Sequence, residues 1–245
     1  MPAARPASKS VDPCYESDVI FIMPNPAVRP ISMTVDFVSE LGRSTASAGR
    51  AERTRTAILA ATCRMLNSAP SDKLKVADIC RAAGIAHGTF YIYFKDIRAA
   101  VGVALIAFVE FVQRVMRQAA KERQADRIRA TTEAYFDLFE QNPGLMRALV
   151  TNFDACPEAM QAFQKLNREW TQTVVEAAQR RYARKGKAPP AQDELLRRAY
   201  ALGGMVDQYL IALLFNGDAT LASVSQDRGA VIDTLSLIWK RGLEE

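Results

Sequence analysis

Between Ala83 and Phe94 the chain reads AGIAHGTFYIYF: two glycines, its only histidine, a threonine and four aromatics in twelve residues. On a helical wheel Phe90 and Phe94 share one face, with Ile79 and Ile85 as natural partners, and are read as core. Thr89, Tyr91, Ile92 and Tyr93 fall away from that face. The outward groups can do recognition chemistry. Gly88 removes a side chain where a backbone must be approached closely. Thr89 offers a hydroxyl and a methyl suited to a base edge. Tyr91 and Tyr93 can donate to phosphate oxygens, and His87 to a phosphate or a base. The plainer alternatives are tyrosines that are simply half-buried and a surface histidine with no specific role.

The charge distribution points the same way. The net charge is +5. Residues 43–98 hold ten basic and four acidic side chains, whereas residues 1–42 and 99–245 balance near −2 and +1. A concentrated positive field suits a polyanion. A solvated basic face is the other reading of the same residues. Arg53, Lys75, Lys95 and Arg98 are the cations expected to share the contact surface with His87, Gly88, Thr89, Tyr91 and Tyr93.

The elements that must position these groups read as helices throughout. With 49% hydrophobic and 24% charged residues, and long stretches free of Gly and Pro, the chain is expected to be an all-α globule of about nine helices. Residues 1–45 mix prolines, serines and short apolar pieces and are expected to be a mostly disordered arm, with Met33 an alternative start. Helical periodicity then runs from Ala51 to Asn67. A short helix follows at about Val76–Ala83, ended by Gly84 in the left-handed conformation. Another, at about His87–Phe94, comes after only Ile85 and Ala86, so the pair forms a helix-turn-helix. Asp96 is placed to cap a long fourth helix bearing Val101, Leu105, Phe108, Val112 and Val115. Further helices are expected at about 127–141, 145–151, 157–184, 192–215 and 223–241, with Asn142-Pro143-Gly144 and residues 185–190 as breaks. This divides the chain into an arm (1–45), a DNA-binding domain (46–95) and a second helical domain (96–245).

The stretch KVADICRAAGIAHGTFYIYFKD resembles the DNA-binding helix-turn-helix of TetR-type transcriptional regulators. The shared features are Ala83-Gly84, Gly88-Thr89-Phe90-Tyr91 and Tyr93-Phe94, and the likeness extends back through the helix at 53–67. The remainder is similar in organisation, including LGGMVDQYLIALLF and VIDTLSLIWKRGL near the end. Departures are Lys75 and Ala86, where the family usually has Ser or Thr caps, Ile97, where lysine is frequent, and Gln208, where many relatives have glycine. The missing caps cost ~1 kcal/mol each.

One short recognition helix reads few base pairs, so two copies on half-sites ~34 Å apart are expected. The homodimer interface is expected on the last two helices, at Leu202, Gly203, Gly204, Val206, Leu210, Leu213, Val231, Leu235, Ile238 and Trp239. The resemblance implies a small-molecule effector bound among the middle helices, releasing a repressor from its operator DNA. Candidate pocket residues are Phe108, Phe111, Tyr135, Met146, Trp170, Met205 and Tyr209, with Asn167 and Asp207 as polar anchors. Such walls suit an aromatic or lipid-like molecule. An activator, or an architectural DNA-binding protein without effector, is the alternative.

An enzyme is not expected. The one histidine lies in the recognition stretch, no Gly-rich phosphate loop appears and no metal-type spacing occurs. No cofactor and no metal are therefore expected. Cys14, Cys63, Cys80 and Cys156 read as inert thiols in a cytoplasmic protein, a redox switch at Cys63 and Cys80 being the alternative. The apolar run at 19–23 is too short for a membrane span, and no longer one is read elsewhere.

Overall fold

The computed structural model describes residues 35–45, 47–151 and 157–244, all within one contact unit, 34–245. The expectations for residues 1–34, Met33, Cys14 and Cys156 lie outside the described residues. Among the described residues there are eleven α-helices and no strand. They are α1 (Phe37–Ser44), α2 (Arg50–Leu66), α3 (Val76–Ala83), α4 (His87–Tyr93), α5 (Ile97–Glu122), α6 (Arg127–Gln141), α7 (Pro143–Thr151), α8 (Pro157–Arg184), α9 (Gln192–Leu214), α10 (Ala219–Val224) and α11 (Arg228–Glu244).

Side-chain caps fix several of these starts. Asp96 accepts the Ala99 N–H at 2.8 Å to open α5, and Asp218 accepts that of Leu221 at 2.9 Å to open α10. The α3–α4 turn is set by backbone instead. Gly84 sits at φ 67°, ψ 34°, the Ile85 N–H donates to the Cys80 carbonyl (3.0 Å), and the Gly84 N–H donates to that of Arg81 (3.3 Å). This is a Schellman closure, which needs a residue tolerant of positive φ. Lys75 and Ala86 stand at the N-caps of α3 and α4 without side-chain capping bonds.

Two elements depart from the sequence reading. The expected arm does not hold for residues 35–45: Val35 and Phe37 are buried, and α1 packs on α2. The cause is Asn142, 2% exposed, whose amide accepts the Phe37 N–H (2.8 Å) and donates to the Val35 carbonyl (2.7 Å). The second is α10, which separates from α11 because Ser225, Gln226 and Asp227 break the last helical stretch. Pro143 and Gly144 also belong to the first turn of α7 instead of a break, as proline's fixed φ allows at a first helical position.

α5 runs through the centre, against α2, α6, α7 and α8. An 18-residue window of it has mean hydropathy 1.8, so by length and composition it reaches span size, contrary to the sequence reading. Its Val101, Leu105, Phe108, Val112 and Val115 are all buried against neighbouring helices, which explains that apolarity by packing. Cys63 and Cys80 are free and buried, and burial pushes the Cys63 thiol up to about 12.

Candidate nucleic-acid interface and interhelical cavity

α4 has one buried side and one bare side. Phe90 is 0% and Phe94 4% exposed, their ring centroids 5.9 Å apart, over a fully buried Ile79. Ile85 is half-buried. Burying the two phenyl rings stabilises the unit by ~1.5–3 kcal/mol each and fixes the helix's rotation. Opposite them His87, Gly88, Tyr91 and Ile92 are exposed, with the His87 and Tyr91 rings 5.5 Å apart. Thr89 and Tyr93, on the other flank, are half-buried.

Cations lie close to this strip in the sequence. Lys75, Lys95 and Arg98 are exposed and make no ion pair among the described residues, whereas Arg55, Lys73 and Arg81 each pair locally with an acid. Arg53 is exposed in the first turn of α2, its guanidinium donating to the Ala48 carbonyl. The Arg55 guanidinium lies 5.7 Å from the Phe94 ring centroid, which places the start of α2 beside the end of α4. The signal missed in the sequence was Ile92. The wheel already put it opposite Phe90, but an apolar residue was not counted as a contact.

A second feature is a cavity of about 250 Å³ bounded by α5, α6, α8, α9 and α11. Tyr135, Asn167, Trp170 and Asp207 line it, as expected. The Tyr135 hydroxyl donates to Asp207 Oδ1 at 2.7 Å. Burial pushes the Asp207 carboxyl up to about 6, although that hydrogen bond pulls it down. Burial also drives the Tyr135 phenol well above its usual range, with Asp207's charge adding to it. Arg127, Arg180 and Arg181, from the start of α6 and the end of α8, also belong to the lining.

Phe108, Phe111, Met146, Met205 and Tyr209 are not among the lining residues. Phe108 and Phe111 pack their rings on Phe37, 5.4 and 5.3 Å away, so α1 occupies the side of α5 that the sequence reading left open. Met146 is fully buried, and the Tyr209 hydroxyl bonds Ser225 Oγ at 2.8 Å. Met205 is half-buried away from the cavity.

The residues expected at a dimer interface divide three ways. Val206, Leu210, Val231 and Leu235 are buried inside the single subunit and have no surface left for a second copy. Gly203, Val206 and Trp239 line the cavity. Leu202 packs with Trp239 against the Val175, Leu195 and Leu243 cluster, Leu213 is half-buried, and Ile238 is 39% exposed. The exposed residues of α9 and α11 include Tyr200, Ala201, Gly204 and Gln208 on one and Ala230, Thr234, Leu237 and Ile238 on the other, with the charged Arg197, Asp233 and Arg241 beside them. Each set has the spacing of one helix stripe.

Residues 58–101, which include the whole α3–α4 unit, match the family model of the bacterial regulatory proteins of the tetR family. The chain is a DNA-binding transcriptional regulator whose helix-turn-helix segment is of the tetR type. It is 27% identical over 192 residues, 75% of this chain and 82% of the relative, to the HTH-type transcriptional regulator EthR of Mycolicibacterium smegmatis. Its fold is similar to that of the fatty acid degradation regulator FadR from Bacillus halodurans (TM-score 0.57, 14% identity, 76% of this chain and 94% of that one). It is also similar to FadR from Bacillus subtilis, solved in complex with stearoyl-CoA (TM-score 0.58, 16% identity, 76% and 97%).

Proposed function

We propose that the chain is a cytoplasmic homodimeric repressor that leaves its operator when a small apolar molecule enters the interhelical cavity. The observation that carries the reading is the bare side of α4, held rigid by Phe90 and Phe94 within the segment that carries the chain's positive excess. His87, Thr89, Tyr91 and Tyr93 supply the contacts to bases and phosphates, and Arg53, Lys75, Lys95 and Arg98 the field.

Two copies, joined through the outward stripes of α9 and α11, present two α4 helices to half-sites ~34 Å apart. Gly204 and Ile238 keep their place in this interface, and Tyr200, Gln208 and Leu237 take over from the residues that are buried. The effector needs only to prefer the subunit arrangement whose α4 spacing misses those half-sites. α5 gives the route, since it both lines the cavity at Val112, Met116 and Ala120 and packs on α2.

The walls, with Phe163, Leu166, Trp170 and Val174 from α8, favour an apolar chain or ring system. The three arginines favour a negatively charged head. A fatty acyl compound combines both, and stearoyl-CoA in the similarly folded B. subtilis FadR supports that class.

Both tryptophans of the chain, Trp170 and Trp239, line the cavity, so intrinsic fluorescence reports its occupancy. The test titrates the purified protein with palmitate and palmitoyl-CoA while following fluorescence, then repeats the titration on a gel-shifted complex with DNA selected from a random pool. A compound that quenches fluorescence should release the DNA. Quenching without any change in DNA affinity would sink the effector reading. DNA affinity that stays flat between 50 and 200 mM salt would sink phosphate-dominated binding.

A further inference from the structure

Ile92 is the most exposed large apolar side chain among the described residues, at 78%, and it stands at the pole of α4 directly opposite Phe90. An isoleucine left in water is unremarkable on an arbitrary surface. Here its surroundings are specific. Gly88, one turn earlier on the same pole, leaves open space: a Cβ there would meet nothing within 4 Å. The first turn of α4 can therefore come against another surface with Ile92 projecting beyond it. His87 and Tyr91 flank it on one side and Thr89 and Tyr93 on the other, so polar groups frame a single apolar point.

Isoleucine has no donor or acceptor. It can neither hold a phosphate nor read a hydrogen-bond pattern. The one apolar feature a base edge displays in the major groove is the 5-methyl group of thymine. A β-branched side chain in a helix is also held close to one χ1 rotamer, so Ile92 acts as a rigid probe whose fit depends on where that methyl lies.

We propose that Ile92 is a specificity-determining residue that reads the 5-methyl group of one thymine in each half-site. The proposal rests on the DNA-binding reading of α4.

The experiment uses the full chain. Binding sequences are first selected from a random duplex pool, and each recurrent thymine is then replaced by uracil, which removes the methyl and leaves the pairing edge intact. At one position per half-site the replacement should weaken binding by roughly 3- to 10-fold, the scale of one buried methyl. Ile92→Ala should weaken binding to the thymine duplex and bind the thymine and uracil duplexes equally. Ile92→Thr, which keeps the branching, should retain part of the difference. The exposed position leaves the fold untouched, which a thermal melt checks. Uracil tolerated at every position, or a thymine preference that survives Ile92→Ala, overturns the proposal while leaving DNA binding standing. Failure to select any sequence overturns both readings together.

Discussion

Asp207 ionises at a cost inside the cavity, because burial has raised its carboxyl from an ordinary 3.8 to about 6. The native state therefore holds a proton that the unfolded chain releases between those two values. Stability from this group is full below about pH 4, declines as pH rises through 6, and stays lost above it. Asp207→Asn keeps an acceptor for the Tyr135 hydroxyl and removes the charge. It should raise stability at pH 7.5 by roughly 2–3 kcal/mol and change it little at pH 4, as thermal melts at the two pH values would show. An equal shift at both would assign the effect to packing. Two glycines separate backbone from surface in the same way. Gly84→Ala places a Cβ at φ 67° and should cost about 1–2 kcal/mol in a denaturant titration. Gly88→Ala meets no neighbour and should leave stability unchanged or slightly higher, yet weaken DNA binding by blocking close approach. At this scale the α4 residues were legible because one helical period sorts them. Asp207 and Tyr135 were both legible as cavity residues but the bond between them was not, since they lie 72 positions apart.

Helix α7 meets α2 through a contact with no slack. The Gly144 N–H donates to the Asn67 side chain at 2.9 Å, and a Cβ on Gly144 would lie 2.3 Å from the Leu66 carbonyl carbon. Backbone, not a flexible side chain, is in the way, so Gly144→Ala must push the two helices apart. Overpacking of this kind costs about 1–3 kcal/mol, read as a fall of several degrees in Tm. Because α2 also packs on α3, which in turn packs on α4, the variant should show altered effector release as well as lower stability. A Tm within a degree of the parent would show that α7 moves freely. Most helix boundaries could be read from caps and breakers, with α6 and α8 matching to the residue. α1 could not, because its apolar stripe spans only eight residues, too few to hold a helix by themselves, and its anchor, Asn142, comes a hundred residues later.

At the scale of the whole molecule, the proposed mechanism makes affinity depend on pairing two weak readers. The outward stripes of α9 and α11 leave Tyr200 48%, Leu237 47% and Ile238 39% exposed in a 27.1 kDa subunit. Tyr200→Glu with Ile238→Glu should convert a dimer to a monomer in sedimentation, with the helical content intact. Loss of the second half-site removes its effective concentration, so affinity for the two-half-site duplex should drop by roughly 100-fold or more. A monomer that retains full affinity would refute the paired-reader mechanism. The sequence reading placed this face on α9 and α11 but named residues that the subunit buries, so the proposed face uses other sides of the same helices. Apolar residues such as Leu210 and Leu235 attract attention on a wheel, but those are the ones the subunit takes for its own core.

By itself the sequence determined the all-α class, the Gly84 turn, the two-sided recognition helix and the basic segment around it. Each of these is a local property, fixed by periodicity, φ preference and charge within a few turns. Only the tertiary structure decided which face of α5 meets α1, which meets the cavity, and which apolar stripe of α9 and α11 stays in the water. A helix with several apolar faces is satisfied equally by any neighbour until long-range packing assigns one, and that assignment separates core from pocket and pocket from interface.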